Sequence, residues 1–284
     1  VLDNRVLWIK GMNASQEKRW LQFCRDYVPV KDSDGRFVLE ARWTDKENDR
    51  RNLAVIRYGD TIKRYDLTLF NSIYLNREKG TYSAIWQQYA AVMCALLCNT
   101  DAETSQAFMD TCDFTAEEPI IGMRKIAADG AYLRRAESSN LHILSLVRKE
   151  SISAIDAQIW KAQLQVLFPL LEIERVSFIK RYRKQVQEAL GEKYHDFRTG
   201  RPQYIYQFGE TVSDPDNAEL GTIYRMTKLR RDADAYQYLL YIPDEQSRSR
   251  IELLHDLRNS LAHGNTCAID KVIEFINGHP FDWN

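Results

Sequence analysis

At 284 residues, with 44% hydrophobic and 28% charged side chains, the chain has the make-up of a folded globular protein and excludes a disordered one. It is long enough for two ordinary domains, each with its own core. Its 39 basic and 40 acidic residues give a formal net charge of -1, which excludes a global attraction for polyanions and leaves any such binding to local patches.

Only seven prolines and 12 glycines point to a mostly helical chain. Val1 stands where an initiating Met would, which leaves room for sequence upstream. Gln16 to Tyr27 carries Trp20, Leu21, Phe23 and Cys24 at helical spacing and ends at Val28-Pro29. Asp32-Ser33-Asp34-Gly35 is a turn, Arg36 to Trp43 reads as a strand, and Asn52 to Tyr65 reads as a hairpin turning at Gly59-Asp60. This makes a small α/β element near the N-terminus, of winged-helix or adaptor type.

From Leu67 the pattern is helical. Leu67 to Leu75, Tyr82 to Cys98, Ala102 to Cys112 and Ile120 to Val147 each carry apolar residues three and four apart. The longest apolar run, Tyr89 to Cys98, is too short to cross a bilayer, and no charged-then-apolar leader opens the chain. No membrane contact and a cytoplasmic location are therefore expected. Five cysteines, Cys24, Cys94, Cys98, Cys112 and Cys267, are odd in number and lack CxxC spacing. Cys94 and Cys98 fit one helix face, yet with no histidine near them they read as buried thiols rather than zinc ligands.

Ser153 to Leu190 reads as one long helix that Phe168-Pro169 should kink or divide. On it lies the basic run Lys180-Arg181-Tyr182-Arg183-Lys184, either a solvated face or a phosphate-binding patch. Gly200 to Gly221, rich in Gly, Pro, Asp and Asn, reads as a loop or flap in which Tyr204, Tyr206 and Phe208 alternate like a short strand. Those aromatic rings suit packing against the bundle, or base stacking. Arg225, Lys228, Arg230 and Arg231 form a second basic cluster.

The last helix is the most informative. Pro243-Asp244 starts it and Gly264-Asn265 stops it, so it spans Asp244 to His263. Ile251, Leu254, Leu257 and Leu261 form its apolar stripe; His255, Asn259 and His263, four residues apart, line another side, and Arg258 sits at the stripe's margin. Arg258 and His263 lie about 140° apart around the axis, within an arginine's reach. Histidine exchanges protons near neutral pH and guanidinium grips a phosphate through two parallel hydrogen bonds, so Arg258, Asn259 and His263 suit cleavage of a phosphodiester. The plain alternative is a solvated helix face, because an Arg and a His at this spacing arise by accident about once in a chain this long. Arg135 and His142 show the same spacing without a polar residue after the arginine. No Walker loop, Rossmann fingerprint, nucleophile elbow, HExxH pair or internal repeat accompanies them, and no cofactor or metal is expected.

Leu257-Arg258-Asn259-Ser260-Leu261-Ala262-His263-Gly264 resembles the motif of the HEPN domains (higher eukaryotes and prokaryotes nucleotide-binding), whose ribonuclease members carry Arg, a polar residue that is often Asn, and then His. The resemblance is strong over this helix and loose over the last 130 to 150 residues, about the size of one helical domain. It implies a mainly α chain with a C-terminal HEPN-like helical bundle over 131–284, preceded by a mixed α/β and helical regulatory or targeting region over 1–130. It further implies a metal-independent endoribonuclease that cuts single-stranded RNA, a homodimer in which two motifs form one composite site, and a toxin or antiviral defence role. His263 would transfer the proton, Arg258 would stabilise charge on the phosphate, and Asn259 would orient its neighbours. Lys180, Arg181, Arg183 and Lys184 would contribute to RNA binding, and a regulatory protein or a nucleotide would serve as activator. Two alternatives stand beside this: a non-catalytic HEPN-like dimerisation or ligand-binding module in a larger assembly, and an N-terminal region that is itself the main actor.

Overall fold

In the computed structural model the described residues are 4–31, 34–41, 49–50, 53–57, 61–132, 142–191, 194–195, 202–203, 206–207, 210–228, 230–232 and 235–281. Among them are eleven α-helices and a few short strands, so the chain is mainly α with a small two-stranded sheet near its N-terminus. It divides into two compact units, Val1–Ile62 and Lys63–Asn284. The boundary expected near residue 130 falls inside the second unit.

In the first unit, β1 (Val6–Ile9) pairs in parallel with β2 (Arg36–Leu39), and α1 (Ala14–Asp26) makes the crossover between them. Parallel neighbours need such a crossover because a tight turn cannot join them. Asn13 starts α1 through a reciprocal capping box: its side chain accepts from Gln16 N–H at 2.9 Å while Gln16 Oε1 accepts from Asn13 N–H at 3.0 Å. Trp20, Phe23 and Tyr27 pack on Phe37 of β2 with ring centroids 5.1 to 6.1 Å apart. The expected helix and strand are therefore present, although β2 ends at Leu39 and Trp43 lies outside the described residues. The expected hairpin over 52–65 is not seen among the described residues, which show one bridge between Arg50 and Leu53. Tyr65 belongs instead to a helix, whose first turn is set by Asp66 accepting from Lys63 N–H at 2.8 Å. Gly59 and Asp60 lie outside the described residues.

The second unit opens with α2 (Arg64–Glu78), α3 (Ala84–Cys98), α4 (Ala102–Thr111) and α5 (Pro119–Ala128). Every side chain from Tyr89 to Cys98 is buried, which is how an all-apolar run becomes the central helix of a bundle. α3 packs on α2, α4 and α7 (Ile152–Arg181). Buried polar groups between these helices are paired: Asn71 donates to Ala91 O at 3.0 Å and accepts from Ser105 Oγ at 2.8 Å.

Among the described residues the long helix expected over 120–147 is not continuous. α5 stops before Asp129-Gly130, and α6 (Ile143–Arg148) begins at His142. His142 Nδ1 accepts from Leu144 N–H at 3.3 Å and its Nε2 lies 3.1 Å from Asp101 Oδ2, so one imidazole starts α6 and ties it to the cap of α4. Arg135, the other half of that second spacing match, lies outside the described residues. α7 is not divided at Pro169, and it departs from the single helix expected to Leu190 by ending at Tyr182, before α8 (Arg183–Gly191). Buried Val166, Leu167 and Leu171 hold both sides of the proline against the core. The break comes where Tyr182 turns inward and donates to Ser247 Oγ at 3.1 Å.

Two short antiparallel strand pairs follow, β3 (Tyr194–His195) with β4 (Pro202–Gln203) and β5 (Tyr206–Gln207) with β6 (Glu210–Thr211). After the 3-10 turn Pro215–Asn217 come α9 (Leu220–Thr227), the pair β7 (Arg230–Asp232) with β8 (Ala235–Gln237), α10 (Glu245–Ala262) and α11 (Ile269–Asn277). α10 packs on α7, α9 and α11. No helix among the described residues is long and apolar enough to cross a membrane.

Candidate functional site

α10 begins and ends where its sequence says it should. Asp244 caps the first turn by accepting from Gln246 and Ser247 N–H at 3.2 and 3.0 Å. At the other end His263 is the C-cap, and Gly264 takes φ +77°. Gly264 N–H donates to Leu261 O at 3.2 Å and Asn265 N–H to Ser260 O at 2.9 Å, the paired bonds of a Schellman turn. A side chain at 264 would strain this left-handed conformation, so glycine sets the point at which His263 leaves the helix.

The inner stripe is as expected: Ile251, Leu254, Leu257 and Leu261 are each 1% exposed or less. At about 1.5 to 3 kcal/mol per buried side chain, this stripe is what holds α10 in the bundle. Polar bonds fix its far end to α7. Trp160 Nε1 donates to Leu261 O at 2.8 Å, and Gln163 makes two bonds to the Cys267 backbone, Nε2 to O at 2.9 Å and Oε1 from N–H at 2.7 Å. The motif's end is thus seated on a rigid support.

Arg258, Asn259 and His263 lie off that stripe. His263 is exposed; Arg258 and Asn259 are half-buried. The Arg258 guanidinium turns to Glu219, with Nη2 3.1 Å from Oε2, and the two side chains are 27% and 35% exposed. Glu219 is itself held in place, because its N–H donates to Gln207 Oε1 at 3.0 Å, which also accepts from Thr222 Oγ1 at 2.8 Å. Asn259 Nδ2 lies 3.1 Å from His255 Nε2. The His255 ring stacks on Tyr224 at 4.0 Å and 8°, while Lys228 Nζ lies 4.4 Å from the Tyr224 centroid and 2.9 Å from Glu252. His255 Nδ1 faces Asp256 Oδ1 at 3.5 Å, too long for a good hydrogen bond, and Asp256 is paired to Lys271 at 2.6 Å. The Lys271 ammonium holds the Asp256 carboxyl below its usual range, and burial pushes His255 below the ordinary imidazole value against the pull of Asp256. Glu219, Tyr224 and Lys228 come from α9 and its cap, a neighbour that nothing in the motif announces.

The basic run does not sit on one long helix, as the sequence suggested. Lys180 and Arg181 close α7, whereas Arg183 and Lys184 open α8; all four are exposed. Arg183 is paired to Asp216 at 2.6 Å and lies 3.8 Å from Asp214, so Arg183 is raised and Asp216 lowered by their mutual bond. Lys184 stands 4.0 Å from Glu188. Tyr182 meets Ser247 in the first turn of α10, while the motif lies at its other end, roughly 17 Å (Arg258) to 24 Å (His263) away along the axis at 1.5 Å per residue. The two basic groups share one neighbour, the segment 214–219, whose Asp216 holds Arg183 and whose Glu219 holds Arg258. Of the second basic cluster, Lys228 is part of the stack on Tyr224. The side chains of Tyr204, Tyr206 and Phe208 lie outside the described residues.

All five cysteines are buried and unpaired, and burial pushes Cys94 and Cys98 well above the usual thiol range. Among the described residues there is no cluster of three metal-ligating side chains. No known protein family, no curated protein and no solved structure matches the chain.

Proposed function

We propose that the chain is a metal-independent endoribonuclease of HEPN type that cuts single-stranded RNA at a composite site between two copies, in the cytoplasm, as a toxin or defence effector. One observation supports it most. The stripe that docks α10 is complete without Arg258, Asn259 and His263, which leaves an arginine, an amide and an imidazole off the docking stripe within six residues of a firmly seated helix end. Folding asks little of His263, so replacing it tests chemistry without disturbing the bundle.

In this reading an RNA phosphate exchanges with the Glu219 carboxylate at Arg258, whose guanidinium then meets two non-bridging oxygens. His263 takes the proton from the ribose 2'-hydroxyl as its oxygen attacks phosphorus. The bond from phosphorus to the 5'-oxygen breaks, that oxygen leaves with a proton from His263 of the partner subunit, and the products are a 2',3'-cyclic phosphate and a 5'-hydroxyl. The second copy also closes the site against water. Lys180, Arg181 and Lys184 would hold flanking phosphates from the far end of α10, with Arg183 joining them once Asp216 yields it.

The test is cleavage of single-stranded RNA with EDTA present. Wild type should cut RNA to cyclic-phosphate ends and leave DNA intact; His263→Ala should stop cutting while keeping the fold, since surface changes alter stability by under about 0.5 kcal/mol. Mixing in an Arg258→Ala, His263→Ala double variant should poison the mixed dimers. Chelator-sensitive cutting, or equal cutting of DNA, overturns the reading. A specific observation favours a second one: Arg258 and Asn259 already have partners within the chain, as they would in a non-catalytic HEPN-like dimerisation or ligand-binding module. RNA binding or dimerisation without any cleavage would favour that module.

A further inference from the structure

His255 is not in the Arg-Asn-His motif, yet it is the residue on which Asn259 rests. Asn259 Nδ2 lies 3.1 Å from His255 Nε2, and an amide nitrogen can only donate, so Nε2 must be the accepting nitrogen. Nδ1 then carries the proton. The opposite side of the ring asks for the same thing, because Nδ1 is buried and faces the Asp256 carboxylate at 3.5 Å, where a bare lone pair would be repelled. Two independent neighbours therefore select one tautomer.

The ring has little freedom to leave. Tyr224 lies parallel to it at 4.0 Å, Tyr224 is itself tethered to Glu252 at 3.3 Å, and Asp256 is anchored to Lys271 on α11 at 2.6 Å. Lys271, Asp256, His255 and Asn259 form a line that runs from α11 across α10 to the motif face. Resting on the endoribonuclease reading above, we infer that His255 is a positioning residue: it fixes the Asn259 amide with Nδ2 inward, so that Oδ1 is the acceptor offered to the reacting groups. The motif asparagine then works as an oriented carbonyl, suited to accept from the ribose 2'-hydroxyl or from an imidazole N–H. A positioning line of this kind matters because misplacing a reacting group by an ångström slows a reaction by up to about a hundredfold.

Three variants and one spectrum test this. His255→Gln keeps an acceptor within reach of Asn259 and should cut RNA within a few fold of wild type. His255→Leu keeps bulk but offers no acceptor, and should lower kcat roughly ten- to hundredfold with KM little changed. Asn259→Leu removes the carbonyl that His255 is inferred to orient and should fall with His255→Leu. Equal cutting by wild type and His255→Leu overturns the inference, as does an Asn259→Leu variant of full activity. The spectrum does not depend on cleavage: nitrogen-15 shifts of the His255 ring should show the Nδ1–H tautomer, coupled to the Asn259 side-chain amide. An Nε2–H tautomer overturns the inference whatever the activity. If wild type cuts no RNA while the spectrum shows Nδ1–H, the ribonuclease reading fails and the hold of His255 on Asn259 stands.

Discussion

Two arginines eight residues apart on α10 each face a glutamate, and their surroundings are of opposite kinds. Arg250 and Glu174 are each 7% exposed; Arg250 Nε donates to Glu174 Oε2 at 2.8 Å, its Nη2 also reaches Glu174 Oε1, and it donates further to Phe275 O at 3.0 Å while lying over that ring at 4.7 Å. That pair binds α10 to α7 and α11 and has no room for a ligand. Arg258 and Glu219, 27% and 35% exposed, meet through a single contact of 3.1 Å. Water screens that pair, the geometry is not bidentate, and a phosphate offering two oxygens to Arg258 would compete well. Burial, rather than the type of residue, separates an arginine that builds the fold from one that a ligand could reach.

The largest expected effect comes from breaking the inner pair. Arg250→Ala should cost about 3 to 5 kcal/mol because it leaves Glu174 charged and buried without its partner. Urea unfolding measures this, and a loss under about 1 kcal/mol would erase the contrast. Replacing both members, Arg250→Met with Glu174→Leu, should recover most of the loss, since an apolar pair of similar volume needs no charge compensation. A milder squeeze on the same pair is Gly278→Ala. A Cβ there would come 2.7 Å from Arg250 Nη1 and equally close to Glu274 O, so we expect a loss of about 1 to 3 kcal/mol by overpacking. RNA cleavage should survive in the folded fraction of all three.

This contrast also marks what was legible in the sequence. The ends of α10, its stripe of one isoleucine and three leucines and the outward position of His263 followed from periodicity and from Asp244 and Gly264, because they are local. Arg250 was missed although a signal existed: it falls on the apolar stripe, as Glu174 falls on the stripe of Leu167, Leu171 and Phe178 in α7, and opposite charges on two buried stripes point to a pair. Glu219 gave no such signal, since it meets Arg258 across 39 residues and from a stretch read only as loop or flap. The undivided helix at Pro169 and its end at Tyr182 were not legible for a related reason. Tertiary packing carried the helix through the proline, and the bond from Tyr182 to Ser247 ended it at a residue with no breaking tendency of its own. The strand β1 was overlooked because four residues alternating in burial are too few to announce themselves.

The smallest effect on stability, and the sharpest on function, should come from the outer pair. Arg258→Ala should change unfolding free energy by less than about 1 kcal/mol, because both partners keep contact with water and Glu219 loses no buried neighbour. Raising the salt should shrink even that difference, as exposed charges are screened within about 10 Å at 0.1 M, whereas the loss in Arg250→Ala should persist. Exchanging the pair, Arg258→Glu with Glu219→Arg, separates the two uses. The exchange restores an ion pair and hence wild-type stability, but it moves the guanidinium from the helix that bears His263 to the cap of α9. Cleavage should stay abolished. If the exchanged protein cuts RNA at the wild-type rate, a positive charge anywhere near Asn259 is enough, and Arg258 has no special station on α10.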